Sequence, residues 1–495
     1  STRKESSAAS DVYKRQTVNA YKMFSATVSG DGKAVSYTLT DEWKPFFKNS
    51  VGLTGVTDEN VNDKANDYVS KLKDSTLVAF ATKASNWAQT KANNITADAT
   101  ATVSADASNG KYTATFTGLG YGYYVVAVPG ATLANAKSQY ATLVSVHSTK
   151  VDADIKGDLP TVDKKVQVDG TGKDATDAKI GDTLTFTLTS TIPDMSAYDT
   201  YTFNFKDTLS KGLTFGQVKS VKVENVTLTE NTDYTVTTPT ASNNNTLTVA
   251  MKDFKTKQQA NAGKKITVTY TATLNENAVV GGAGNVNSAK IQYSNNPSTN
   301  GTGESEPSKV RVFTYGFTVD KYTGDQYTDA ATRLAGAEFT LAHKDGSAIS
   351  FVQVSAGSAT ANAVYRVAKA GETGTTTITT PANGKVVFEG LKNGEYTLTE
   401  TKAPAGYNKL ASAIGVKVNG QNNGTDTTNA TVTITYNNDN GNDYNQTASN
   451  GVIPVQNKSG AILPGTGGMG TIAFTVIGVL VIALGVAWTL KRKNA

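Results

Sequence analysis

Cysteine is absent from all 495 residues, and histidine occurs only twice. The first absence excludes disulfides, thiolate metal sites and cysteine nucleophiles, and the second excludes a histidine-based metal centre. No G-x-S-x-G turn and no metal-binding histidine motif occurs, and the acidic residues lie scattered without a recognisable pair, so a secreted hydrolase lacks support. The formal net charge of +5 is spread over interspersed lysines and aspartates. Without a basic block, nucleic acid is not an expected partner. Nothing calls for a cofactor or a metal. The first residues lack both the charged and the apolar region of an export signal, and Asp11-Val12-Tyr13-Lys14-Arg15-Gln16 reads as an adaptor-derived, non-native stretch. Residues 1–16 are therefore set aside, with the expectation that a signal peptide is missing from this sequence.

What is abundant is Thr, Val, Asn, Gly and Tyr, in a chain long enough for roughly three or four β-rich domains. Strands are predicted over 18–24, 34–39, 112–116 and 123–128. Between them, from Asp58 to about Ala92, apolar residues recur near helical spacing at Val61, Ala65, Tyr68, Val69, Leu72, Val78, Ala81 and Trp87, which predicts one or two inserted helices. At the other end, Leu463-Pro464-Gly465-Thr466-Gly467 precedes an uncharged run of 20 residues, 471–490, and then Lys491-Arg492-Lys493. As a helix rising ~1.5 Å per residue, that run spans the ~30 Å hydrocarbon core of a bilayer, and the basic residues hold the tail on the cytoplasmic side.

Three strands in the middle of the chain place polar groups on apolar faces. Val162, Lys164, Val166 and Val168 share one side of a strand, Tyr201, Phe203, Phe205 and Asp207 share another, and Asn287, Ala289, Ile291 and Tyr293 a third. A buried unpaired ammonium or carboxylate costs several kcal/mol, so such groups must pair, change protonation state or react. Burial lowers a lysine pKa and raises that of an acid, which permits a neutral amine beside a protonated carboxyl. The amine can then attack the Asn287 carbonyl while Asp207 relays protons, releasing ammonia. The plain alternative is a buried ion pair with a bystander amide. Further on, Lys321 shares a face with Phe317 and Val319, Glu400 with Tyr396 and Leu398, and Asn457 with Ile453 and Val455.

Several of these stretches carry a family resemblance. The LPGTG pentapeptide, apolar run and basic tail resemble the sorting signal of Gram-positive surface proteins. Residues Tyr396 to Tyr407, YTLTETKAPAGY, resemble the pilin E-box nearly residue for residue, and Leu334 to Phe339 resembles the L-x-G-A-x-F pattern that accompanies it. The chain is thereby similar to the LPXTG-anchored major, or backbone, pilins, whose domains crosslink themselves. The resemblance implies a mainly β chain of tandem immunoglobulin-like sandwiches of the CnaA/CnaB type, with a helical insertion in the first domain and a C-terminal transmembrane helix at 471–490. The expected boundaries are 17–157 for an N-terminal pilin domain, 158–311 for an immunoglobulin-like isopeptide domain, 312–458 for a CnaB-type isopeptide domain and 459–495 for the sorting signal.

It also implies the chemistry. Asp207 and Glu400 are the autocatalytic acids, and the bonds are Lys164–Asn287 and Lys321–Asn457. Sortase cuts between Thr466 and Gly467, and a lysine at the end of the first domain receives the threonyl group. Lys156 is favoured by position and Lys150 is the alternative; the Tyr-Pro pair that often precedes such a lysine is lacking. The expected function is the structural backbone of a covalently polymerised, wall-anchored surface pilus that supports adhesion, without enzymatic turnover of its own. Expected partners are sortase, identical subunits, ancillary pilins, peptidoglycan and a host glycan or matrix ligand, with membrane contact only before sorting. A monomeric wall-anchored adhesin or an ancillary tip or base pilin is the alternative.

Overall fold

A computed structural model describes residues 17–105, 112–128, 141–148, 150–152, 159–196, 198–295, 300–422, 429–437 and 443–460. Strands dominate, and among the described residues the α-helices lie in the amino-terminal part apart from the short Phe254–Gln258.

That part is built on a five-stranded antiparallel sheet. Thr17–Val28 lies between Val35–Leu39 and Gly122–Ala127, with Ala141–Val146 beyond and Ala99–Thr102 on the free stretch of Thr17–Val28. The predicted helical segment forms two helices, Val61–Ser70 and Asp74–Gln89. A third, Lys44–Asn49, was not expected; it starts with Pro45 in its first turn, where the missing N–H costs nothing. Its Phe46 and Phe47, with Trp43, are fully buried against Phe24 and Phe80. The strand predicted over 112–116 is shorter than expected and covers only Tyr112–Thr113.

The middle of the chain forms a sandwich. One sheet runs in the order Val226–Thr227, Leu213–Val223, Lys265–Leu274, Thr183–Thr191, Asp163–Val168, Thr171–Lys173. The other runs Ala175–Asp177, Ser308–Phe313, Asn285–Ser294, Phe203–Thr208, Thr246–Met251, Tyr234–Thr237, with Thr302–Glu304 added to Asn285–Ser294. Strict alternation makes the layer: in Lys265–Leu274 the residues Ile266, Val268, Tyr270, Ala272 and Leu274 are buried while the intervening threonines face outward.

The third unit is also a sandwich. Tyr315–Thr323 is flanked by Lys385–Leu391 and, in parallel, by Val452–Gln456, the last strand described. The facing sheet runs Ile378–Thr379, Glu338–His343, Gly394–Lys402, Ile414–Gln421, Thr431–Tyr436, Gln446–Thr447. The architecture is mainly β, in tandem immunoglobulin-like sandwiches with few helices, as the sequence predicts. No helix among the described residues is long and apolar enough to cross a membrane, and the 471–490 run lies outside them.

The two sandwiches meet through backbone as well as side chains. Ile180 N donates to Gly390 O at 3.0 Å and Ala430 N to Gly282 O at 2.8 Å. Asn393 N donates to Asp177 Oδ2 at 2.7 Å, and Lys369 pairs with Glu276 at 2.5 Å. Phe313 and Tyr315 stack on either side of the fully buried Thr314. Glycine is needed here for closeness: a Cβ at Gly282 would fall on the Ala430 carbonyl oxygen, and one at Gly390 would overlap Ile180. Gly282→Ala should therefore loosen the joint, costing about 1–3 kcal/mol. Calorimetry and limited proteolysis would read this as a lower melting temperature and faster cleavage between the sandwiches, and an unchanged profile would remove the glycine from the joint.

Candidate functional site

In the middle sandwich the burial pattern of Asp163–Val168 places Lys164 and Val166 inside with no exposed surface. Across the core, Phe203–Thr208 and Asn285–Ser294 are antiparallel neighbours in register Asp207 to Ala289, so Asp207 and Asn287 emerge on the same inner face. All three predicted residues, Lys164, Asp207 and Asn287, come together fully buried. The lysine belongs to one sheet and the acid and amide to the other.

Lys164 Nζ donates to Asp207 Oδ2 and, at 2.8 Å, to the hydroxyl of Tyr270. Tyr270 OH in turn lies 2.8 Å from Asp207 Oδ2. The Asn287 amide has one orientation that satisfies both its ends. In it Nδ2 donates to Asp207 Oδ1 at 2.8 Å and to the Thr208 carbonyl at 3.1 Å, and Oδ1 accepts from Lys164 Nζ at 3.1 Å and Tyr270 OH at 2.8 Å. Burial pushes the Lys164 amine below its usual 10.5 against the pull of Asp207, and pushes the Asp207 carboxyl above its usual 3.8 against the pull of Lys164. Both shifts favour the neutral pair.

The third sandwich repeats the chemistry on a different geometry. Lys321 and Asn457 come from strands of one sheet: Lys321 is in register with Val455 in the parallel pair, and Asn457 N donates to Tyr322 O at 3.0 Å. Glu400 reaches them from the facing sheet. Its Oε1 lies 3.4 Å from Lys321 Nζ, and its Oε2 accepts from Asn457 Nδ2 at 3.0 Å and from Leu410 N at 2.8 Å. The carboxylate thus bridges amine and amide, and all three side chains are buried. Burial lowers the Lys321 pKa from 10.5 to about 8, with Glu400 opposing. On the other face of the same strand, Asp320 is buried too, held by Arg333 Nε at 2.9 Å and Tyr327 OH at 2.6 Å, which closes the 324–333 loop over the Lys321 strand.

Of the residues expected to take part in polymerisation, only Lys150 falls among the described residues. Lys150 is exposed and 3.6 Å from Asp152. Lys156 and Leu463, Pro464, Gly465, Thr466 and Gly467 lie outside the described residues. The sequence reading missed Tyr270. Its signal was the single hydroxyl in the alternating apolar face Ile266, Val268, Tyr270, Ala272, Leu274.

Three family models match successive parts of the chain. The family described as Gram-positive pilin backbone subunit 2, Cna-B-like domain, matches residues 180–297. The SpaA family, a prealbumin-like fold domain, matches 325–433, and the LPXTG cell wall anchor motif matches 455–495. The trypsin-resistant surface T6 protein of Streptococcus pyogenes serotype M6 is 26% identical over 279 residues, which are 51% of this chain and 44% of the relative; the chain thus spans less than half of that relative's length. Among solved structures, the T6 backbone pilin of serotype M6 Streptococcus pyogenes is 18% identical, covering 90% of this chain and 97% of its own, with a TM-score of 0.49. A C-terminal fragment of the major pilin of Streptococcus agalactiae is 25% identical over 52% of this chain and 90% of its own, with a TM-score of 0.41. The end of the chain carries the cell wall anchor motif of surface proteins. Residues 180–297, in the middle sandwich, are thus similar to the Cna-B-like domain of Gram-positive pilin backbone subunits.

The depressed Lys321 pKa sets a pH signature for the uncrosslinked third sandwich. Between about 8 and the ordinary 10.5 the unfolded lysine holds its proton and the folded one does not, so stability rises with pH across that window; below about 8 the penalty is complete. In Asn457→Ala, which cannot form the bond, the denaturation midpoint should climb from pH 8 to pH 10. A flat or falling midpoint would show that the lysine keeps its ordinary pKa.

Proposed function

We propose that this chain is the shaft-forming subunit of a sortase-assembled surface pilus, stabilised by intramolecular Lys164–Asn287 and Lys321–Asn457 amide bonds. The observation that carries the reading is the double occurrence of a fully enclosed lysine, acid and asparagine in a chain that also bears a cell wall anchor motif. In each site the neutral lysine Nζ attacks the asparagine Cγ, the Nζ–Cγ bond forms, the Cγ–Nδ2 bond breaks and ammonia leaves. Asp207 or Glu400 carries protons between the two nitrogens. The units are taken as residues 17–157, 158–311 and 312–458, with the sorting signal in 459–495.

The reading gives the bonds a mechanical role. Tension passing from Lys321 to Asn457 is carried by the crosslink, and the 135 residues between them are spared from extending by hundreds of Å at ~3.4 Å per residue. In the middle sandwich the Lys164–Asn287 bond ties one sheet to the other. Amide crosslinks serve where disulfides cannot form, since the chain has no cysteine. Assembly proceeds by sortase cleavage between Thr466 and Gly467 and transfer of the threonyl group to Lys156, or to Lys150, of the next subunit.

Intact mass tests the internal bonds. The folded protein should be lighter by two ammonia molecules than its sequence; Glu400→Ala should regain one, with lower thermal and proteolytic stability. A folded protein of unmodified mass would sink both bonds. Assembly is tested on wall extracts: Lys156→Ala should collapse the covalent ladder to monomer, and a ladder that persists in both Lys156→Ala and Lys150→Ala would exclude both lysines. Absence of any ladder from the unaltered protein in its own host would favour a monomeric adhesin or ancillary pilin.

A further inference from the structure

Besides the acid and the sheet geometry, the two sites differ in what faces the asparagine oxygen. In the third sandwich Asn457 Oδ1 has no hydrogen-bond donor among the described residues. In the middle sandwich the amide oxygen of Asn287 faces the hydroxyl of Tyr270 at 2.8 Å, and that hydroxyl also touches the attacking nitrogen and the acid. The ring that carries it is fixed: Tyr270 is fully buried, stacked on Phe186 at 5.3 Å and 20° between planes, and tilted against Phe215 at 6.1 Å.

A phenol has one proton to donate. Here two acceptors compete for it, Asp207 Oδ2 and Asn287 Oδ1. While the acid is ionised, the carboxylate is the stronger acceptor and holds the hydroxyl. Once Lys164 has passed a proton to Asp207, that competition weakens and the hydroxyl can turn to the amide oxygen, at the moment the amine becomes nucleophilic.

We propose that Tyr270 is a catalytic residue of amide formation in the middle sandwich, its hydroxyl supplying the oxyanion donor to Asn287 when proton transfer from Lys164 to Asp207 releases it. The inference rests on the reading that the Lys164–Asn287 bond forms. Atoms and charge balance along the path. Lys164 enters as an ammonium and Asp207 as a carboxylate. One Nζ proton moves to Asp207, and Nζ attacks Cγ. The carbonyl electron pair moves onto Oδ1, where Tyr270 stabilises it by hydrogen bonding and keeps its own proton. A second Nζ proton reaches Nδ2 through the carboxyl group. Collapse of the oxyanion expels ammonia and leaves a neutral amide beside a protonated Asp207, with no net charge gained or lost. A preorganised donor at the developing oxyanion is worth on the order of a hundredfold or more in rate. Among the described residues no hydroxyl hydrogen-bonds to Lys321, Glu400 or Asn457, so that site serves as an internal control.

The test is a pulse of cell-free synthesis of the full chain, quenched in acid at intervals and digested, with the Lys164–Asn287 and Lys321–Asn457 linked peptides followed by tandem mass spectrometry. In Tyr270→Phe the first linked peptide should appear about a hundredfold more slowly than in the unaltered chain, while the second appears at its normal rate and reports that synthesis and folding of the third sandwich are unchanged; protease resistance of the middle sandwich reports its own folding. Equal rates for the first peptide would overturn the assignment of Tyr270 alone. Absence of that peptide from the unaltered chain would instead overturn the bond on which the inference rests. If Tyr270→Phe does not fold, a fluorinated tyrosine placed at 270 alone keeps the shape and makes the hydroxyl a stronger acid. Its rate of bond formation and the pH profile of that rate must then shift, and an unchanged rate and profile would overturn the proposal.

Discussion

Desolvation of charge is the constraint on which the structure turns. Lys164 and Asp207, and again Lys321 and Glu400, sit where no water reaches them, among residues such as Val166, Phe186, Phe205, Phe339 and Leu398. A charged pair in such a place recovers only part of what it loses on leaving water. The directions of the Lys164 and Asp207 shifts, amine down and acid up, show the interior favouring the uncharged forms of both. An amine without its proton is a nucleophile, and in each site the same acid also holds an asparagine amide. The apolar core thus acts on reactivity as well as on folding.

Everything else positions those groups. Two-residue alternation sends every second side chain inward, and the outward threonines of Thr183–Thr191 and Lys265–Leu274 keep the opposite face wet. Sheet order then decides what a bond would join. In the middle sandwich amine and amide lie on facing sheets; in the third they lie on neighbouring strands of one sheet, with only the acid across the core. Asp320, Arg333 and Tyr327 form a second polar cluster on the back of the Lys321 strand.

Much of this could be read from the sequence because it depends on neighbours in the chain. A lysine between valines, an aspartate after alternating aromatics and an asparagine before alternating apolar residues each declare their face, and Lys164, Asp207, Asn287, Lys321, Glu400 and Asn457 all emerge where that rule places them. Tyr270 obeys the same rule yet escaped notice, since a tyrosine on an apolar face is ordinary until its hydroxyl is seen against Lys164 and Asp207. The short helix Lys44–Asn49 is too brief for periodicity to declare. The joint between the sandwiches is illegible for another reason: Gly282 and Gly390 look like any loop glycines, and only the approach of Ala430 and Ile180 from far along the chain gives them a task.

The parallel pairing of Tyr315–Thr323 with Val452–Gln456 carries a consequence of its own. The chain enters the third sandwich at the start of one strand and leaves at the end of the other, and because the two run in the same direction, entry and exit lie at opposite ends of the ladder. A pull on the ends therefore slides one strand along the other and strains the row of hydrogen bonds together. Antiparallel neighbours pulled from one edge would open them singly, like a zipper. The unit thus resists in shear through its hydrogen-bond ladder alone, with no covalent bond between the two strands required.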